Sequence, residues 1–235
     1  QGTTTPLFTL VMTGVYLITS DLLHAGNIIS AFFLLITTGL AWYLMRQTVT
    51  RGARSASAII WVTSPLVYVS YGMETLLHCA LLMLALVFWS QERRLWAMMT
   101  AALLTWNRAD GVVLAGTLGL IATYDWWQTR TAPQKQVHDA FKAKLLAAYG
   151  IGIAPWFIFA WLYFGTPLPQ TFSAKEELLQ GTLFLEDGVK WWKAFYFNNP
   201  ITLLALPLIL VGWWHAIRQR SIRPVAVWTL LYSLG

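Results

Sequence analysis

Apolar residues in this chain come in long runs, and short polar connections separate them. Gly26 to Met45, Ser55 to Tyr71, Met73 to Ser90, Leu95 to Trp106, Gly111 to Trp127, Ala143 to Phe164 and Phe195 to Ile217 each read as a membrane-spanning helix. Pro224 to Gly235 begins an eighth, which stops near half of the roughly 20 residues a bilayer requires. The first apolar stretch, Pro6 to Ser20, is short and its flanks carry no Lys or Arg. It is expected to lie half-buried on the outer face; a short tilted span with a cytoplasmic N-terminus is the alternative. Pro65, Pro155 and Pro207 fall inside spans, where a missing amide donor kinks a helix. The pattern predicts an all-α chain, a polytopic transmembrane helical bundle of about seven complete spans, one incomplete span and an N-terminal interfacial helix. It forms one domain over residues 1–235, expected to be an internal piece of a longer protein cut at both ends. No internal repeat is visible.

Charge gives the runs an orientation. Arg46, Arg51 and Arg54, then Arg93 and Arg94, then Arg130, Lys135, Lys142 and Lys144, then Arg218, Arg220 and Arg223 occupy alternate connections and make up 12 of the 16 basic residues. Cytoplasmic loops carry such an excess. The opposite connections hold Arg108, Lys175, Lys190 and Lys193 beside Asp21, Glu74, Asp110, Glu176, Glu177, Glu186 and Asp187. Any chemistry is therefore expected on the outer face of the cytoplasmic membrane. Aromatic residues agree: Trp42, Trp89, Trp126, Trp127, Trp213 and Trp214 mark the cytoplasmic ends, while Tyr71, Trp106, Tyr163, Tyr196, Trp191 and Trp192 mark the outer ones.

Composition removes the competing classes. The chain is 57% hydrophobic and 11% charged, whereas about a quarter of a soluble domain is charged. Its net charge of +6 sits in short loops between apolar runs, so it reads as topology and not as nucleic-acid affinity. The lone Cys79 can form no internal disulfide. The chain opens on Gln1 without a basic flank and apolar core of the kind a cleavable signal requires.

Two outer turns carry charges near the membrane. Trp106-Asn107-Arg108-Ala109-Asp110-Gly111 joins two short runs, which puts Arg108 and Asp110 below the outer surface, where charges must pair or line a wet cavity. They form either a functional pair or a self-satisfied cap for the next helix, and the two readings are compatible. In Tyr71-Gly72-Met73-Glu74-Thr75 the second carboxylate is either a first-turn helix residue or part of the same outer cavity. His24, His78, His138 and His215 lack metal-ligand spacing, and His78 reads as a packed polar residue inside a span. Tyr163-Phe164-Gly165-Thr166-Pro167-Leu168-Pro169-Gln170-Thr171-Phe172-Ser173-Ala174-Lys175 opens the one long outer connection with a rigid bend. Lys175 either snorkels to the interface or binds an anionic headgroup.

Thr3-Thr4-Thr5-Pro6-Leu7, Gly72-Met73-Glu74-Thr75, Arg108-Ala109-Asp110-Gly111 and the segment from Tyr163 to Lys175 recur in an order that resembles the C-type (GT-C) superfamily of integral-membrane glycosyltransferases. The likeness is closest to the bacterial cell-wall terminal arabinofuranosyltransferase branch. The resemblance implies a polyprenyl-phosphate sugar donor and a glycan, lipid or protein acceptor in the cell envelope. It also implies transfer on the outer face, and a catalytic Asp in a first outer loop that would lie upstream of Gln1. The fragment by itself is then expected not to transfer sugar. Ala109 and Gln170 depart from the family's usual Pro and Asn.

The chemistry implied is displacement at the anomeric carbon with a lipid phosphate leaving, a carboxylate as base on the acceptor hydroxyl, and cations on the departing phosphate. Glu74, Arg108, Asp110, Gln170 and Lys175 are the expected substrate-binding residues, with Arg108 and Lys175 on phosphate. Some members of the superfamily use a divalent metal and others none, and no ligand set in this sequence decides between them. A polytopic transporter or lipid flippase is the competing class, since it too would bury charges facing a cavity.

Overall fold

In the computed structural model, residues 5–46, 48–128, 135–165, 190, 193, 200–219 and 222–234 are described, and the chain is all-helical with no strand among them. Among the described residues there are ten α-helices: α1 (Pro6–Thr19), α2 (Leu22–Met45), α3 (Arg51–Val62), α4 (Pro65–Val69), α5 (Thr75–Ser90), α6 (Arg94–Asn107), α7 (Val112–Gln128), α8 (Lys135–Phe164), α9 (Pro200–Arg218) and α10 (Arg223–Leu234). A 3₁₀ turn, Ala109–Gly111, joins α6 to α7.

Helix boundaries follow local chemistry. Pro6 opens α1, where its missing amide costs nothing, and Ser20 closes it in the left-handed region at φ 54°. Asp21 then caps α2 by accepting from the Leu23 and His24 amides. The span expected over Ser55 to Tyr71 is in fact two helices. Ser64 is extended and Pro65 begins α4, because the residue before a proline is driven out of the helical region and a first-position proline loses no hydrogen bond. Pro155 and Pro207 do lie inside helices, α8 and α9.

The main core lies between α5, α6 and α7, with contributions from α8 and α10. Ala85, Ala97, Ala101, Ala102, Leu104, Leu114 and Leu118 form its centre, and the alanines let helix axes approach closely. Leu145 of α8 is part of it, while Val225, Val227 and Trp228 of α10 pack against its edge. Gly152 of α8 sits so near α6 that a Cβ there would lie 2.7 Å from the Ala102 methyl.

Two helices among the described residues, Leu22–Met45 and Ala143–Phe164, are long and apolar enough to cross a membrane. The others are shorter: α5 has 16 residues and α6 has 14, or about 24 and 21 Å at 1.5 Å per residue, against roughly 30 Å of hydrocarbon. The described residues nonetheless expose many large apolar side chains. Ile18, Val69 and Leu162 are 85%, 78% and 82% exposed, and Leu17, Leu23, Leu35 and Tyr163 are exposed beside them.

Contacts divide the bundle into two ends. At one, Tyr43 accepts from Arg46 and Gln91, and Asp125 lies between Arg94 at 3.8 Å and Arg223 at 3.6 Å. At the other, the Gly72 amide donates to Ser30 Oγ at 2.8 Å, and Arg108, Glu74, Asp110 and Tyr232 meet. Helices α2 and α5 therefore run in the same direction, with α3 and α4 as the return between them.

Candidate functional site

Glu74 precedes α5 and stands at its N-cap position, yet its side chain makes no capping bond. Gly72, two residues earlier at φ 77°, supplies a left-handed turn that L residues resist. The Glu74 carboxylate turns instead to Arg108, with Oε1 3.3 Å from Nη1. Arg108 is extended at φ −153°, which ends α6 and swings the side chain across to α5. Its Nε lies 3.3 Å from Asp110 Oδ2.

Gly111 makes that second contact possible. A Cβ at position 111 would lie 2.6 Å from the Leu104 carbonyl carbon and the Thr105 nitrogen, so only glycine allows the 3₁₀ turn to fold back onto α6. Asn107 is fully buried and donates from Nδ2 to the Glu74 carbonyl at 3.2 Å, which ties the end of α6 to the start of α5.

Three further groups complete the cluster. The Tyr232 hydroxyl donates to Asp110 Oδ2 at 3.0 Å from α10. Asp110 Oδ1 is buried without a hydrogen-bond partner and lies 3.9 Å from His78 Nε2. His78 Nδ1 and Asn107 Oδ1 are also buried without partners. The cluster is only partly open: the side chains of Glu74 and Asp110 are 21% and 26% exposed, and that of Arg108 is 40% exposed.

Of the residues expected to form the site, Glu74, Arg108 and Asp110 are brought together, while Gln170 and Lys175 lie outside the described residues. Tyr232, His78 and Asn107 were not among the expected residues. His78 carried a signal: it stands four residues after Glu74, one helical turn along the same face. Tyr232 carried none, because it sits in an apolar run that reads only as an unfinished span.

Two carboxylates against one guanidinium give the trio a formal charge of −1, so its chemistry is not that of a simple anion hole. Glu74 and Asp110 are placed to accept from hydroxyls. Arg108 keeps Nη2 without a partner among the described residues, as a donor for one anionic oxygen. A second cation for a phosphate would have to come from elsewhere, and Lys175 is the sequence candidate. Among the described residues no group of three His, Cys, Asp or Glu could hold a metal ion.

A groove of about 400 Å³ runs along α1, lined by Phe8, Thr9, Met12, Thr13, Tyr16 and Leu22. It shares no residue with the ionic cluster and has an apolar and hydroxyl lining. No family model, curated protein or solved structure matches the chain.

Proposed function

We propose that this chain is the membrane-embedded part of a glycosyltransferase that takes its sugar from a polyprenyl-phosphate donor on the outer face of the cytoplasmic membrane. The observation that carries this reading is the convergence of Glu74, Arg108 and Asp110 at one end of an all-helical bundle that exposes many large apolar side chains. Charges near hydrocarbon are retained where they handle a polar ligand. The resemblance of the motifs around these residues to the GT-C superfamily supplies the ligand's class. In this reading the shorter helices also cross the bilayer, giving about seven spans with the acidic turns outside.

Each group has a defined task. Arg108 presents Nη2 to a phosphate oxygen of the donor, with Lys175 as its partner cation. Glu74 and Asp110 hold Arg108 in place and accept from hydroxyls of sugar or acceptor, and the base for the acceptor hydroxyl is a carboxylate.

The test is transfer by the full-length protein in liposomes supplied with polyprenyl-phosphate pentoses and hexoses and an envelope glycan acceptor. Arg108→Ala should lower turnover by about 100-fold, the loss typical of a donor that meets developing charge. Movement of the lipid-linked sugar across the bilayer without transfer would favour a flippase instead and overturn the enzyme reading.

A further inference from the structure

Tyr232 has no part in the scheme above, yet it makes the longest-range side-chain hydrogen bond to the ionic cluster, 122 residues along the chain from Asp110. Its acceptor, Oδ2, is the same oxygen that pairs with Arg108 Nε. A carboxylate held on one oxygen by a single long side chain can turn about its terminal torsion, whereas a second donor from another direction fixes its plane. The phenol is itself restrained, because Trp228 stacks on it with ring centroids 5.0 Å apart. His78 flanks the other carboxylate oxygen. Arg108 is then gripped at Nε and Nη1 by two carboxylates from different elements, which leaves Nη2 as the edge with no partner among the described residues.

We propose that Tyr232 is a positioning residue: it fixes the Asp110 carboxylate and, through it, the plane of the Arg108 guanidinium, so that Nη2 is presented to a lipid-linked phosphate. The ligand in this statement rests on the function proposed above; the positioning does not. A planar fork binds phosphate well only when its direction is set in advance, since immobilising a free arginine would otherwise draw on the binding energy.

Tyr232→Phe in the full-length protein keeps the ring on Trp228 and removes only the hydroxyl. With nitrogen-labelled arginine and an Arg108→Lys control for assignment, wild-type protein should give distinct, slowly exchanging Nη signals for Arg108, and Tyr232→Phe should average them. Distinct signals that persist in Tyr232→Phe overturn the proposal, whatever the protein binds. Binding of undecaprenyl phosphate in nanodiscs forms the second arm. There, Tyr232→Phe should weaken binding by about tenfold in the wild-type background and by less than about twofold beside Asp110→Asn, because a residue that acts through another loses its effect once that residue is changed. Equal losses in both backgrounds overturn the coupling through Asp110. If wild-type protein does not bind undecaprenyl phosphate while the Arg108 signals behave as expected, the lipid-phosphate ligand is overturned and the positioning role is supported.

Discussion

Gly111 shows how one missing side chain decides the geometry of the cluster. The atoms that a Cβ would meet are backbone of Leu104 and Thr105, which cannot rotate away. Gly111→Ala should therefore lift the 3₁₀ turn from α6, costing about 2 kcal/mol and pulling Asp110 from Arg108; thermal unfolding in detergent measures it. Gly26 is the milder case, because its Cβ would lie 3.3 Å from Gly72 Cα and from the movable end of Met12, and Gly26→Ala should lower the midpoint less. Asp21 gives a pH-dependent test. Its carboxylate is held below its usual 3.8 by the His24 ring and by the His24 and Leu23 amides. A depressed folded value means that the cap's contribution is present above the usual value and is lost as pH falls through the folded one. The Leu23 amide resonance should accordingly show an acid step with its midpoint below 3.8, and Asp21→Asn should abolish that step.

At the scale of elements, α10 is tied at both ends. Arg223 at its start pairs with Asp125 on α7, and Tyr232 near its other end bonds Asp110 at the head of α7. Asp125 follows Asp110 by fifteen positions, about four helical turns, so both fall on nearly the same side of α7. Between the ties, Trp213 of α9 donates to the Ala226 carbonyl and the apolar face of α10 packs on the core. Asp125 is the shared partner, since it lies against both Arg223 and Arg94, the latter of which also pairs with Glu92 at 2.8 Å. Asp125→Asn should destabilise by about 1–3 kcal/mol and more than Arg223→Gln. Hydrogen exchange should report the effect first in α10; protection lost uniformly across the bundle would show that α10 is not an independently released element.

For the whole molecule, the arrangement of ends makes a topological prediction. Arg46, Arg94 and Arg223 share the end marked by Asp125 and Tyr43, and Gly72, Glu74 and Arg108 share the other. If the basic end is cytoplasmic, single cysteines at Arg51 and Gln219 in a Cys79→Ala background should react with an impermeant thiol reagent only after the membrane is opened. A cysteine at Met73 should react from outside in intact cells. Labelling of position 219 from outside would invert or abolish the proposed orientation. The many exposed Leu, Ile and Phe side chains among the described residues agree with a lipid or protein covering.

The sequence by itself determined that the chain is helical and where most helices lie, because helix bonds close within four residues and apolar runs, prolines and glycines act on their own neighbours. It also singled out Glu74, Arg108 and Asp110, since charged residues at the ends of apolar runs are conspicuous before any fold is known. The split of the Ser55 to Tyr71 run at Pro65 lay in the sequence as well, but a proline reads equally as a kink or as a first residue until the path of the chain is known. Tertiary structure alone decided that Glu74 turns from its own helix to Arg108, that Gly111 folds the turn back, and that Tyr232 and His78 enclose Asp110. The Glu74–Arg108, His78–Asp110 and Tyr232–Asp110 contacts join residues 34, 32 and 122 positions apart. No local propensity encodes such separations; they follow from helices α5, α6, α7 and α10 burying a common apolar core.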